Sequence, residues 1–437
     1  MKTMDNLRIF AKYVSLNIIS MLALSCYILA DTFFIARGLG PDGLAALNLA
    51  IPVYSFIQGA GLMAGMGGST RYSILKAEGK SKDANRIFTH ALLIGVFLSL
   101  IFTLTGIFGS DFLTELLGAD SRVYSMTRTY LRVLLFFAPA FILNNIMICF
   151  IRNDSSPEIA MAAMCIGSFS NILLDYILIF PCKMGILGAV LATGLSPVIG
   201  LCILSIPFVR HTTRIKLSKI HLSVKAAADI LWLGVPSLIT EVASGTVIIV
   251  YNLLILKLTG NTGVAAYGII ANLSLVITSV FTGIAQGIQP IASYAYGSKR
   301  PKDVRHFYQY GIILSTILAV CLYTALTVFH QDVINIFDKT GNSTLFNIAK
   351  QGTFLYFLAF PFVGINIITS TIFSATEHPI PAFAVSITRG FALIIPCVII
   401  LSHWLKMPGI WLAFPVSEFI TTIAALFILV KIKDTWE

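Results

Sequence analysis

Four acidic residues stand where acids are costly. Asp31, Asp175, Glu241 and Glu418 each lie inside a long apolar run. An ionised side chain at the centre of a bilayer costs at least ~2.5–3.5 kcal/mol, so each needs a partner or a task. Asn171 and Asp175 are spaced i, i+4 and share one helix face. At 1.5 Å per residue from Pro157, Asn171 sits ~21 Å and Asp175 ~27 Å along its run. Asp31 lies near the outer end of the first run and Thr193 about eight residues below the outer end of the sixth, so all four can meet in the outer half of the N-terminal bundle. Two carboxylates, an amide oxygen and a hydroxyl form a ligand set for a hard cation such as Na⁺. Two carboxylates held close together cannot both stay ionised, which equally suits a proton carrier. The residue types leave H⁺ and Na⁺ both open, and a purely structural hydrogen-bond network is the third reading.

The C-terminal half carries a different set. Glu241, about 14 residues into its run, is the best candidate there for a substrate or coupling role. Arg389 and Glu418 both come out near mid-depth, ~14 to 15 Å in, and are expected to form a buried ion pair, structural or coupling. Gln286 and Gln289, at i, i+3 before Pro290, put two amides on one face. They either line a substrate cavity or bond another helix.

The elements that hold these residues follow from composition. The chain has 437 residues, of which 57% are hydrophobic and 11% charged. A soluble protein carries roughly 25% charged residues, so a soluble enzyme or nucleic-acid-binding module is excluded. Twelve stretches are long and apolar enough to span a bilayer, at about 12–36, 45–70, 87–109, 126–150, 157–181, 185–209, 227–256, 264–292, 305–329, 347–373, 380–402 and 408–431. The alternating pattern of a membrane β-barrel is absent. With both termini cytoplasmic, 20 of the 30 basic residues fall in inner segments and nine in outer ones, Arg389 being left in a span. That satisfies the positive-inside rule and explains the net charge of +10 without nucleic acid. All seven cysteines fall in or beside spans, with no pattern for disulfides, zinc or redox chemistry.

The halves also repeat. Gly40, Ala45, Ala46, Gly67, Ser73, Lys82 and Asp83 recur 220 residues later as Gly260, Ala265, Ala266, Gly287, Ser293, Lys302 and Asp303. Gly188 and Ala192 recur 221 later as Gly409 and Ala413. Six spans per half give a parallel repeat with its axis along the membrane normal. The expected organisation is a six-helix lobe over 1–209, a cytoplasmic linker over 210–226 acting as a tether, and a second six-helix lobe over 227–437. Gly61-xxx-Gly65 and Gly283-xxx-Gly287 mark close helix packing. Prolines within spans, among them Pro52, Pro139, Pro197, Pro361 and Pro415, permit bends. By the offset Asp31 becomes Tyr251, Asn171 roughly Leu393 and Asp175 roughly Cys397, so the halves have diverged in role.

Several motifs in order resemble the MATE (multidrug and toxic compound extrusion) transporters. Asp31-Thr-Phe-Phe-Ile-Ala36, with Gly38-Leu-Gly-Pro41 and Leu44-Ala-Ala46, is similar to the family's first-helix signature. Asn171-Ile-Leu-Leu-Asp175 resembles its fifth-helix motif and Gly188-Ala-Val-Leu-Ala-Thr193 its sixth. The segments Gln286–Tyr294 and Gly409–Glu418 resemble the eighth- and twelfth-helix signatures of the bacterial multidrug branch. The resemblance implies an all-α integral membrane protein of two six-helix lobes with an outward V-shaped cleft. It implies alternating access and cation-coupled (H⁺ or Na⁺) export of lipophilic, often cationic drugs. It also implies a cation site at Asp31, Asn171, Asp175 and Thr193. Some members place coupling on C-terminal acids, for which Glu241 and then Glu418 are the matches; the tenth span has no acid.

The expected protein is thus a multi-pass monomer of the cell membrane. It uses no cofactor beyond its coupling ion, contacts lipid and small-molecule drugs, binds no nucleic acid and is not an enzyme. A lipid-linked oligosaccharide flippase is the alternative; it would need intramembrane cations for a pyrophosphate. The chain has no HExxH and no GxxxxGK[ST] loop, which argues against an intramembrane metalloprotease and an ATP-driven pump.

Overall fold

A computed structural model of the chain describes residues 2–219, 223–337 and 343–432. Residues 220–222 of the expected linker lie outside the described residues. Every element among the described residues is helical. In chain order these are α1 (Lys2–Ala77), α2 (Ser81–Phe108), α3 (Ser110–Leu116), α4 (Tyr124–Phe136), α5 (Ala138–Asn153), α6 (Pro157–Ile179) and α7 (Gly185–Val209). They continue as α8 (Val224–Gly297), α9 (Pro301–Val328), α10 (His330–Phe337), α11 (Ser343–Tyr356), α12 (Phe360–Ala375), α13 (Pro379–Ile387), α14 (Ile394–Leu405) and α15 (Met407–Ile432).

Helices α1 and α8, of 76 and 74 residues, are each two spans joined at a break. The break is Gly40 (φ 68°, ψ −158°) in α1 and Gly260 (φ 66°, ψ −158°) in α8. That backbone region is essentially closed to residues with a Cβ, so the repeated glycine has a direct cause. Among the described residues nine helices are long and apolar enough to cross a membrane, and a bent pair makes ten. Splitting α1 and α8 at their glycines brings the described spans to the expected twelve.

Three spans are interrupted where the sequence reads as continuous. The fourth bends by 47° at Phe137, between α4 and α5. Pro139 lies in the first turn of α5, where its missing N–H costs nothing, so it starts a helix rather than kinking one. The tenth passes through a 3-10 turn, Phe357–Ala359, and Pro361 likewise opens α12. The eleventh contains a π-helical turn, Thr388–Ala392.

Two compact units emerge. One comprises Ile19–Val242 with Ser293–Ser298; the other comprises Met1–Ile18, Ala243–Ala292 and Lys299–Glu437. They depart from the repeat boundary at equivalent places, because the start of α8, up to Val242, groups with the first unit and the start of α1, up to Ile18, with the second. Backbone contact explains both. A side chain at Gly67 or Gly234 would collide with the carbonyl oxygens of Ile230 and Met63, so α1 and α8 meet without side chains between them. In the second unit a Cβ on Gly283 or Gly287 would lie 2.7 Å from the Cα of Ile18 or Val14. The first unit has a large continuous core that includes Tyr72, Phe88, Leu131, Ile142 and Phe150. Smaller clusters around Ala266 and Phe373 serve the second.

The linker is no free tether where it is described. Asp154, at the end of α5, accepts from the Thr213 hydroxyl and the Arg214 N–H, both at 2.8 Å. It also accepts from the Tyr72 hydroxyl at 2.9 Å and pairs with Lys76 at 3.2 Å. Further along, the N–H groups of Lys216, Ser218 and Ser223 donate to Asn85, Thr89 and His90 on α2 at 3.1, 3.0 and 3.2 Å. Ile215 is buried beneath them. A segment of extended backbone needs partners for its N–H groups, and polar side chains in the first turns of α2 supply them.

Candidate cation site and buried ion pair

The first unit brings Asp31, Asn171, Asp175 and Thr193 together. Asp31 comes from α1, nine residues before its break; Asn171 and Asp175 come from one face of α6, and Thr193 from α7. Their exposures are 7%, 0%, 0% and 5%. With its amide turned so that nitrogen faces the carboxylate, the orientation that satisfies both neighbours, Asn171 donates to Asp175 Oδ2 at 3.0 Å and accepts from the Thr193 N–H at 3.2 Å. Asp31 and Asp175 are within hydrogen-bonding reach of each other. Thr193 donates its hydroxyl to the Ala189 carbonyl at 3.1 Å, which leaves its lone pairs for the buried Tyr130 hydroxyl. Oδ1 of Asp31 and Oδ1 of Asp175 are buried and have no protein partner. Two carboxyl groups are thus ringed by neutral groups, each with an acceptor to spare.

Tyr130 was invisible in the sequence, as was a polar chain beside it. The Tyr27 and Tyr54 hydroxyls lie 2.7 Å apart, and Gln58 donates to Tyr54 at 2.7 Å. Asn145 then donates to Gln58. Tyr27 is one turn from Asp31 on α1, so the chain leads toward the carboxyl pair. A tyrosine in an apolar run looks the same whether it packs or bonds, and nothing in the sequence separates the two.

Glu241 corrects an assignment. It belongs to the C-terminal half of the sequence but lies in the first unit, half-buried beside Gly59 and an electrostatic neighbour of Tyr54. The close crossing of α1 and α8 carries it there. Gln286 and Gln289 lie in the second unit, the former half-buried and the latter fully buried, and both make polar interactions.

In the second unit Arg389 and Glu418 meet. Arg389 donates to Glu418 Oε1 from Nη2 at 3.0 Å and from Nε at 3.2 Å. Asn366 on α12 donates to Oε2 at 2.6 Å. Arg389 projects from the π turn and Glu418 from the middle of α15. Tyr251, the repeat counterpart of Asp31, is buried against Tyr267 with ring centroids 5.3 Å apart.

The chain as a whole is similar to known sequences. A sequence model of the MatE family matches residues 17–177 and 236–400, one segment in each half. The chain belongs to the MatE family. The multidrug export protein MepA of Staphylococcus saprophyticus is 27% identical over 396 residues, spanning 90% of this chain and 86% of that protein. Among solved structures, MATE in complex with MaL6 superposes at a TM-score of 0.93 with 22% identity, covering 98% of this chain and 96% of that one. An outward-facing multidrug resistance MATE family transporter of the MOP superfamily gives 0.92 with 23% identity and the same coverage. Similarity at that identity establishes the fold. This MatE chain is therefore a multi-pass membrane protein of all-helical architecture.

Proposed function

We propose that this MatE chain is a cation-coupled antiporter that exports lipophilic, often cationic drugs by alternating access. It lies in the cell membrane with both termini cytoplasmic. Similarity to the multidrug export protein MepA supports the substrate class. The observation that carries the coupling is the buried Asp31–Asp175 pair, with an unpartnered oxygen on each carboxyl and neutral groups from Asn171, Thr193 and Tyr130 around it. Such a set accepts H⁺ or Na⁺.

In the proposed cycle a cation enters from outside and neutralises the pair. Repulsion between the carboxyls falls, α1 repacks about its Gly40 break, and the first unit loses affinity for the drug while open to the outside. The drug leaves, and the cation is released inward. Glu241, half-buried in the same unit, is the acid assigned to a cationic drug. A flippase reading gains no support from Arg389, whose charge is already met by Glu418. Asp31→Asn is expected to abolish drug efflux from cells while the protein still reaches the membrane at normal levels. Retained efflux would overturn the assignment.

A further inference from the structure

The repeat sets two three-helix pockets in correspondence. In the first unit α1, α6 and α7 supply Asp31, Asn171, Asp175 and Thr193. In the second, α8, the eleventh span and α15 supply the counterparts. Tyr251 stands 220 residues after Asp31, Cys397 stands 222 after Asp175, and Phe414 stands 221 after Thr193. The carboxylate of the second pocket is Glu418, one turn beyond Phe414 and an electrostatic neighbour of Tyr251. The two pockets differ in how their acids are met. Asp31 and Asp175 each keep a buried oxygen without a partner and pair with no cationic side chain among the described residues. Glu418 has both oxygens engaged, Oε1 by the Arg389 guanidinium and Oε2 by the Asn366 amide. A guanidinium does not deprotonate in a protein, so its charge is permanent. The π turn at Thr388–Ala392 carries Arg389, and π turns inside α-helices are frequent at functional sites.

We infer that Arg389 is the built-in counter-ion of the second pocket. Its guanidinium takes the place that a coupling cation takes in the first. The second unit then binds no coupling cation, and the chain couples through the Asp31–Asp175 pocket alone. The inference rests on the cation-coupling reading of that first pocket.

The test uses the purified full-length protein with the first pocket silenced by Asp31→Asn and Asp175→Asn. Radioactive sodium binding and proton uptake after an acid jump, reported by a pH-sensitive dye, are read as differences between variants. Adding Arg389→Gln should expose Glu418 and yield one further cation per chain, as Na⁺ or H⁺. Adding Glu418→Gln to that variant should remove the gain. A folded, monodisperse Arg389→Gln variant that gains no cation would overturn the inference. Should Arg389→Gln fail to fold, Glu418→Gln is made alone in the silenced background. There the inference requires no loss of cation binding, and any loss overturns it. Failure of the underlying coupling reading shows separately, as efflux that survives Asp31→Asn.

Discussion

At the scale of single residues, the candidate site leaves two carboxyl acceptors unmet. A buried polar atom without a partner is costly, of order 1–3 kcal/mol, and two such oxygens lie in one pocket. A bound cation or proton would relieve that cost. Tyr130 shares a hydrogen bond with the Thr193 hydroxyl at the edge of this pocket. Tyr130→Phe removes one hydrogen bond worth ~1 kcal/mol, so the cation concentration for half-maximal efflux is expected to rise about fivefold with little change at saturation. The acids were legible in the sequence because charge in lipid is rare and demands a reason. Tyr27, Tyr54 and Tyr130 were not, because a tyrosine ring satisfies an apolar run and its hydroxyl finds partners only in three dimensions.

At the scale of elements, glycines break the two longest helices and a polar strap ties down the segment after α7. Gly40→Ala and Gly260→Ala force a Cβ into a backbone region that costs of order 1–3 kcal/mol. Each is expected to lower the thermal midpoint measured in detergent. Gly43→Ala is not an equivalent control, since a Cβ there meets the Leu39 side chain. The strap centred on Asp154 predicts a larger loss. Asp154→Ala leaves Lys76 and the Thr213 and Arg214 donors without their shared acceptor. A cost of ~3 kcal/mol or more is expected, along with faster proteolysis within 210–219. Asp154→Asn should recover part of it. Span existence was readable from the length of apolar runs. The bend at Phe137, the 3-10 turn at Phe357–Ala359 and the π turn at Thr388–Ala392 were not, since local backbone detours are set by packing and leave the apolar pattern unchanged.

At the scale of the whole molecule, one chain carries two units that share a plan and differ in charge. Reconstituted vesicles with separately imposed Na⁺ and pH gradients give the decisive measurement of the coupling ion. Efflux driven by one gradient and indifferent to the other identifies it, and efflux indifferent to both would refute coupling. Exchanging the buried pair, by Arg389→Glu with Glu418→Arg, is expected to restore the stability that either single change loses. Loss of one partner alone should cost ~3–5 kcal/mol.

The sequence by itself determined the solvent, the number of spans, the repeat and the four residues of the first pocket. Each of these follows from properties a linear chain displays: the length of apolar runs, a fixed offset, and charges out of place. Tertiary structure alone decided that Glu241 sits in the first unit and that the segment after α7 is strapped to α2 and α5; the Arg389–Glu418 pair was already expected from depth, and the structure added the Asn366 amide on its second oxygen. Those outcomes depend on which backbones approach closely enough to touch, and that is a property of packed surfaces which no single run of residues encodes.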